Sequence, residues 1–263
     1  AARRISDGKV LRLIRQFLEA GVMEDGSWEA TEVGSPQGGV ISPLLSNIYL
    51  DVFDQQMKAR GIRIVRYADD ILIFARSPRQ AERFRDIAVK ILEKDLKLVV
   101  NQEKTHLTGL RAGVSFLGFI IRPTSVSIHP KRIKRFKKRV RELTPRNHGK
   151  NVESQIQALN RVLRGWINYF RIANCKSWLQ AMMQWIRRRL RMKQLREWKS
   201  WKALHKALRR NGHRGDFDKI SMRRWRNSAS PLVSMALPNR WLDQLGLIDL
   251  CQYEVGILHR YQA

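Results

Sequence analysis

The strongest hydrophobic pattern in the chain lies at residues 62–76, which read IRIVRYADDILIFAR. Two short runs rich in Ile, Val and Phe flank the polar tetrapeptide from Tyr67 to Asp70. Apolar runs of this length with many β-branched residues predict strands. We therefore predict a hairpin with Ala68, Asp69 and Asp70 at its tip.

Segments with a helical pattern and segments rich in turn-forming residues lie on both sides of this hairpin. Residues 7–20 have apolar positions at helical spacing, with Asp7 placed as the N-cap and Gly21 as the C-cap. The other predicted elements are a loop or short hairpin at 22–33, a glycine-rich turn at 34–39, a helix from Ser42, a helix at 80–96, and strands at 98–100 and 116–121. This order predicts an α+β fold with helices on one face of an antiparallel sheet.

After Pro130 the pattern becomes helical and basic. Apolar residues recur at helical spacing in three segments, 131–142, 151–172 and 177–201, which predicts a small helical bundle. The Trp and Met residues on these helices are predicted to form its core rather than to stack on bases. Residues 211–263 show a loop at 211–215 and no strong periodicity.

Charge is distributed very unevenly along the chain. The 51 Lys and Arg residues outnumber the 23 Asp and Glu residues, which gives a net charge of +28. Residues 1–130 carry a net +4, residues 131–226 a net +25, and residues 227–263 a net −1. A segment with so large an excess of positive charge predicts a polyanionic partner. Nucleic acid is a better candidate for this partner than an anionic membrane surface.

Several protein classes are excluded by composition. The two cysteines, Cys175 and Cys251, cannot build a disulfide scaffold, and no Cys-x-x-Cys pair is present for zinc. No apolar run approaches the length of a membrane span, and no signal peptide pattern opens the chain. The start at Ala1 without Met suggests a fragment or a processed chain, and a reducing bacterial cytoplasm is the expected compartment.

The adjacent carboxylates of Asp69 and Asp70 are the main candidate for chemistry. Two negative charges at a half-buried hairpin tip are unfavourable unless a cation lies beside them. Mg²⁺ prefers oxygen ligands and is commonly held by one or two carboxylates together with substrate phosphates. The alternative is a solvated turn, because Asp is also a favoured turn residue.

Four blocks in a fixed order resemble the group II intron-encoded reverse transcriptase/maturase family. The YADD tetrapeptide resembles the active-site hairpin of reverse transcriptases. The blocks beside it are GSPQGGVISPLLSNIYL at 34–50, LVVNQEKT at 98–105 and FLGF at 116–119. In the basic segment, GWINYFR at 165–171 resembles the maturase domain X, or thumb.

The resemblance implies roles for particular residues. Asp69 and Asp70 would be catalytic and would hold Mg²⁺ in a two-metal site, which stabilises both the attacking and the leaving oxygen of phosphoryl transfer. The residues expected to contact the incoming nucleotide and the template are Pro36, Gln37, Gly38, Tyr67 and Lys104. Those expected to contact the primer, as a primer grip, are Phe116, Leu117 and Gly118. An ordinary loop-to-helix junction at 34–42 and a merely solvated Lys104 remain open alternatives.

Basic residues supply the expected RNA contacts. The candidates on the predicted helices are Lys131, Arg132, Lys134, Arg135, Lys138, Arg187, Arg188 and Arg189. In the last segment Arg223, Arg224 and Arg226 are the candidates for contacting DNA, since some family members use this region for that purpose.

One part of the family pattern is missing. Family polymerases need a third carboxylate, from an apolar strand upstream of the Pro-Gln-Gly block. The acids before Ser35 are Asp7, Glu19, Glu24, Asp25, Glu29 and Glu32, and none lies on such a strand. The fingers region and the first catalytic Asp are therefore expected to be absent, and a homodimer partner or a missing N-terminal part would have to supply them.

These observations predict an α+β palm at 1–129, an all-α basic thumb at 130–210 and a tail at 211–263. The expected function is RNA-directed DNA polymerisation with deoxynucleoside triphosphates on an RNA template and DNA primer, coupled to intron RNA binding, splicing assistance and intron mobility. The alternative is an RNA-binding maturase remnant that does not polymerise. No C-terminal endonuclease is expected, because the Cys pairs of such modules are lacking.

Overall fold

The computed structural model describes residues 6–19, 22–24, 27–29, 41–147, 149 and 151–257. The chain divides into two compact units, Ala1–Thr108 and Gly109–Ala263. It is rich in helix (59%) with small antiparallel sheets, as an α+β fold followed by helices requires. Among the described residues no helix is long and apolar enough to span a membrane.

In the first unit the structure describes three helices, four strands and one π-helical turn. They are α1 (Gly8–Glu19), β1 (Val22–Glu24), β2 (Ser27–Glu29), α2 (Ser42–Ala59), β3 (Ile64–Tyr67), β4 (Asp70–Ile73) and α3 (Pro78–Lys90), with a π-helical turn at Ile91–Asp95. The strands pair as two separate antiparallel hairpins, β1 with β2 and β3 with β4.

Local sequence signals set the helix starts of this unit. Asp7 caps α1, as predicted, because its carboxylate Oδ1 accepts a hydrogen bond from the Lys9 backbone N–H at 2.7 Å. Ser77 caps α3 in the same way through the Gln80 N–H, and Pro43 lies in the first turn of α2. The core lies where α2, α3 and the β3–β4 hairpin meet, around Phe53 and Met57, which are fully buried.

The second unit joins a sheet to a series of helices. Its elements are β5 (Val114–Phe116), β6 (Phe119–Arg122), β7 (Ser125–Ile128), α4 (Pro130–Leu143), α5 (Val152–Phe170), α6 (Lys176–Trp198), α7 (Trp201–Arg210), α8 (Pro231–Ala236) and α9 (Asn239–Gln244), with 3₁₀ turns at Trp225–Ala229 and Leu250–Gln252. The strands form one antiparallel sheet in the order β5-β6-β7.

One hydrophobic core joins the sheet to helices α4, α5 and α6. Phe119 and Ile128 from the sheet are buried in the same cluster as Ile156 from α5 and Ile186 from α6. The connection between α5 and α6 also pairs with the sheet edge. The Asn174 backbone N–H donates to the Val126 carbonyl at 2.7 Å, and the Asn174 side-chain oxygen accepts from the Val126 N–H at 3.0 Å.

Two predicted strands were wrong. Residues 98–100 form no strand, and Val99 is 95% exposed, because the described chain places no partner strand beside this run. Residues 116–121 do not form a single strand either. Phe116 pairs with Phe119 across a two-residue turn at Leu117 and Gly118, so the segment is a hairpin.

The boundary between the compact units also differs from the predicted boundary at 129/130. The β5–β7 sheet lies in the second unit, because its buried side chains pack on α5 and α6. In the segment predicted as a tail at 211–263, the described residues up to 257 are likewise packed into that unit, with Val233, Leu242 and Leu250 fully buried. The predicted Trp and Met core is confirmed, since Met182, Met183 and Met192 are buried.

Candidate functional site

The YADD segment forms the predicted hairpin. Strands β3 and β4 pair in a register that sets Val65 opposite Leu72 and Tyr67 opposite Asp70. Ala68 and Asp69 are left as the two turn residues. Ala68 has a φ of 53°, and a positive φ at this position belongs to the primed turns that match the twist of paired strands.

Alternation along the strands gives the hairpin two different faces. Ile64, Ile71 and Ile73 pack against the core of the first unit. Val65 and Tyr67 point to the opposite face, where Tyr67 is 65% exposed. The hairpin is therefore held by its apolar face and presents an aromatic side chain next to the carboxylates.

Arg66 anchors the hairpin to helix α2. Its guanidinium donates to both carboxylate oxygens of Asp54, with the shortest N–O distance at 2.6 Å, and to the Asn47 side-chain oxygen at 2.9 Å. The same group donates to the carbonyl of Ala68 in the turn at 3.1 Å. The hydrogen bond to Asp54 raises the pKa of Arg66. Sequence reasoning missed this anchor, although an Arg inside an apolar strand was a visible signal.

The carboxylates themselves remain available. Asp69 and Asp70 are both exposed, and neither side chain makes a hydrogen bond or ion pair with the residues that the structure describes. Two adjacent oxygen donors on an anchored turn suit a hard divalent cation such as Mg²⁺. Within the described ranges no group of three or more His, Cys, Asp or Glu side chains is arranged for a metal ion. The third carboxylate of a two-metal site is therefore not found in those ranges.

The residues predicted to meet nucleotide and template are only partly described. Pro36, Gln37 and Gly38 lie outside the described residues. Lys104 is exposed in a turn, where its backbone N–H donates to the Asn101 side-chain oxygen at 3.1 Å. Its predicted role stays a prediction.

The predicted primer-binding residues form the β5–β6 turn of the second unit. Leu117 and Gly118 both have positive φ, 50° and 84°, as a type I′ turn requires. The Tyr169 hydroxyl donates to the Leu117 carbonyl at 2.8 Å, and the Arg132 side chain fills the space beside Gly118. This turn is therefore fixed to helices α4 and α5.

Helix α4 presents the most exposed basic surface. The predicted RNA-binding residues on it are all exposed, namely Lys131, Arg132, Lys134, Arg135 and Lys138. Arg139 pairs with Glu142 at 3.0 Å, and both side chains are about half exposed, so this pair contributes little. The helix is free to place several cations against phosphates.

The predicted RNA-binding arginines on α6 are instead used inside the fold. Arg187 pairs with Asp249 at 2.8 Å, and its side chain is only 13% exposed. Arg188 donates to Ser228 and lies over the Trp225 ring. Arg189 donates to the hydroxyl and carbonyl of Thr144 at 2.6 and 2.8 Å. Burial lowers the pKa of Arg189, and RNA contact by these three residues stays a prediction.

The predicted DNA-binding arginines lie at the surface. Arg223, Arg224 and Arg226 are exposed on either side of Trp225. Trp225 itself is covered by the guanidinium groups of Arg146, Arg188 and Arg189, at 4.6 to 5.9 Å from its ring centre. The segment is thus held by its aromatic residue, and its neighbouring cations face solvent.

Comparison with known proteins decides the family. Residues 2–121 match the family described as reverse transcriptase (RNA-dependent DNA polymerase), and residues 133–212 match the group II intron, maturase-specific domain. The chain belongs to the group II intron reverse transcriptase/maturase family. Both family matches occur in the order that the sequence motifs predicted.

Individual relatives of the chain agree with this assignment. The chain is 34% identical over 150 residues to Protein YkfC of Escherichia coli K12, covering 44% of this chain and 39% of that protein. It is 26% identical over 183 residues to the group II intron-encoded protein LtrA of Lactococcus lactis, covering 45% and 31%. The retron Ec86 reverse transcriptase of E. coli is 27% identical over 146 residues, covering 54% and 42%. The matches thus span less than half the length of these curated relatives.

Proposed function

We propose that this chain is the palm and thumb part of an RNA-directed DNA polymerase that binds intron RNA and assists splicing. The observation that carries the proposal is the pair of exposed carboxylates of Asp69 and Asp70, which have no partner among the described residues and lie on a turn that Arg66 ties to helix α2. The palm would comprise residues 1–129, which include the β5–β7 sheet, and the helices after β7 would form the thumb.

Each hairpin residue has a distinct part in the proposed chemistry. Asp69 and Asp70 would hold Mg²⁺ through their carboxylate oxygens, with phosphate oxygens of the nucleotide completing the ligand set. When bound, the ion neutralises the phosphates and polarises the reacting phosphoryl group. Arg66 keeps the turn in place, which preserves the position of both carboxylates relative to the substrate. Exposed Tyr67 offers an aromatic surface beside them.

The substrates follow from the same arrangement. A primer 3′-hydroxyl would attack the α-phosphate of a deoxynucleoside triphosphate opposite an RNA template. A two-metal site would need a further carboxylate, from a segment outside the described residues or from a second copy of the chain.

A second candidate function rests on the incomplete acid cluster. Because the described residues place only two carboxylates together, the chain is also suited to binding intron RNA without polymerising. Structured RNA would then be recognised through its shape and phosphates by the cations of α4. Both candidates require the same salt-sensitive RNA binding.

Primer extension separates the two. The 263-residue chain is assayed with Mg²⁺, deoxynucleoside triphosphates and a DNA primer on an RNA template, beside Asp69→Asn and Asp70→Asn. Asp86→Asn on α3 is the matched control, because this carboxylate is 67% exposed and, among the residues described, pairs with its neighbour Arg85 alone. Polymerisation is supported if the hairpin variants alone lose extension while all four proteins keep their RNA affinity.

The second candidate is supported if no protein extends the primer but every protein binds RNA tightly. If the chain neither extends the primer nor binds RNA, both proposals are contradicted.

A further inference from the structure

A cleft in the second unit has no role in the mechanism above. It lies between helices α4 and α5 and has a volume of about 340 Å³. Its lining comprises three arginines of α4, which are Arg132, Arg135 and Arg139, and five apolar or aromatic residues, which are Phe136, Val162, Trp166, Tyr169 and Phe170. The cleft thus has one cationic side and one aromatic side.

The cationic side is not neutralised within the fold. Arg132, Arg135 and Arg139 recur at i, i+3 and i+7 and therefore follow one face of α4. Arg139 pairs with Glu142, but Arg132 and Arg135 have no carboxylate partner among the residues described. An anion, and a phosphate in particular, would satisfy these planar guanidinium groups.

The aromatic side is rigid. The ring of Trp166 lies 4.6 Å from that of Phe136 and 4.7 Å from that of Phe170, measured between ring centres. Tyr169 stacks on Phe119 at 5.6 Å, and its hydroxyl is held by the Leu117 carbonyl. Even so, Tyr169 remains 51% exposed. A flat ligand can therefore lie against a ring whose position is already fixed, so little side-chain freedom is lost on binding.

The polar groups of the lining restrict the ligand further. None of the lining residues carries a carboxylate or an amide, the Tyr169 hydroxyl is engaged, and the Trp166 indole nitrogen is enclosed. The cleft can contact a π-face and a negative charge, whereas the Tyr169 hydroxyl oxygen is the one acceptor among its lining side chains for a hydrogen bond from the edge of a base. Cation-lined grooves with aromatic rings bind single-stranded nucleic acid in this sequence-tolerant way.

We propose that this cleft takes up one unpaired nucleotide of the bound RNA. The base lies against Tyr169, and the adjoining phosphates contact Arg132 and Arg135. A paired base does not fit this description, because both of its faces are already stacked in the helix. The inference rests on the proposed RNA binding. It adds where on the chain a nucleotide is bound and that this nucleotide is unpaired.

The experiment uses the full chain and an RNA duplex with one bulged 2-aminopurine, whose fluorescence falls when the base stacks. The same duplex with the 2-aminopurine paired is the reference. We expect the fluorescence of the bulged probe to fall further on binding, and that of the paired probe to change little. Tyr169→Leu should abolish the additional quenching and weaken binding of the bulged RNA about 5- to 100-fold, the range for loss of one aromatic–base stack. Tyr169→Phe keeps the ring and should retain the quenching even if the Leu117 contact is lost.

A pair of arginine variants tests the phosphate contact. Arg135→Gln should weaken binding of the bulged RNA more than binding of the paired duplex. Arg164→Gln is the matched control, because Arg164 is exposed on α5 and does not line the cleft. It removes the same charge and should weaken both RNAs equally.

Two results would overturn the cleft proposal. One is quenching that persists in Tyr169→Leu, and the other is duplex binding without any additional quenching of the bulged base. In both cases salt-sensitive RNA binding is intact, so the proposed function survives. Failure of the chain to bind either RNA would instead reject the proposed function on which the cleft depends. Thermal unfolding of each variant shows whether a loss reflects the cleft or the fold.

Discussion

Arg66 and Asp54 form a bidentate ion pair that joins strand β3 to helix α2. The Arg66 side chain is only 10% exposed, whereas Asp54 is 31% exposed. Because the same guanidinium also reaches the Ala68 carbonyl, the pair fixes the turn that carries Asp69. The position of the candidate catalytic carboxylates thus depends on a residue with no direct part in the chemistry.

Removal of Asp54 should therefore destabilise the hairpin. Asp54→Ala leaves a mostly buried guanidinium without its carboxylate, and we expect the free energy of unfolding to fall by about 1–2 kcal/mol. Urea denaturation measures the change. Asp86→Ala on α3 removes a carboxylate from an exposed pair and should change the same quantity by less than about 0.5 kcal/mol. Equal effects of the two substitutions would show that the Arg66 anchor is unimportant.

The pair of Arg187 and Asp249 predicts a pH dependence. Burial alone would raise the pKa of Asp249, but the Cys251 backbone N–H and the Arg187 guanidinium outweigh it, and the pKa of Asp249 is lowered. A carboxyl with a lowered folded pKa stabilises the fold above its unfolded pKa of about 4 and loses this contribution as pH falls through the folded value.

Asp249→Asn should consequently cost most stability at neutral pH. The difference in unfolding free energy from the unmodified chain should shrink steadily once pH falls below about 4. Asp243→Asn on α9, at an exposed position, serves as the control and should show little difference at any pH. A penalty for Asp249→Asn that does not vary with pH would mean that the charge of Asp249 is not what matters.

Replacing two glycines of the second unit by alanine should change the free energy of unfolding in opposite directions. Gly118 has a φ of 84°, and a Cβ there would lie 2.9 Å from the Arg132 side chain, so Gly118→Ala should destabilise by about 1–2 kcal/mol. Gly165 lies inside α5 with open space around it, so Gly165→Ala should stabilise by about 0.5–1 kcal/mol. Thermal unfolding checks both. Stabilisation by Gly118→Ala would show that the β5–β6 turn does not need its positive φ.

Salt dependence should distinguish the cations of α4 from those of α6. Lys134→Ala with Lys138→Ala removes two exposed charges, and the slope of log affinity for RNA against log salt should flatten by about 1.5. Arg187→Ala with Arg188→Ala should lower the unfolding free energy and flatten the slope much less, because these side chains are engaged internally. The reverse order of slopes would place the RNA surface on α6.

Much of the first unit could be predicted because its signals are local. The YADD hairpin, the Asp7 cap and the start of α2 at Ser42 follow from alternation, capping and a proline in the first turn. The helices α4, α5 and α6 were likewise visible in the spacing of apolar residues, with ends within a few residues of those found. Local periodicity was sufficient because these segments also bury their apolar faces.

The structure differs from the sequence-based expectations where residues that are distant along the chain determine the packing. The run at 98–100 has strand-forming residues but no partner among the described strands, so β-propensity alone misled. The sheet around Phe119 joined the second unit because of packing on Ile156 and Ile186, which no local pattern shows. For the same reason Arg187, Arg188 and Arg189 looked like a solvent-facing basic run, although their partners Asp249, Ser228 and Thr144 lie about 40 to 60 positions away.

The bonds between Asn174 and Val126 have a consequence for self-association. Strand β7 is the outer strand of its sheet, and such a strand offers free backbone groups to any neighbouring chain. Asn174 occupies both the N–H and the carbonyl of Val126, at the middle of that edge. An incoming strand would first have to displace the α5–α6 connection. Copies of the chain that crowd together therefore cannot pair through β7 while this connection stays in place.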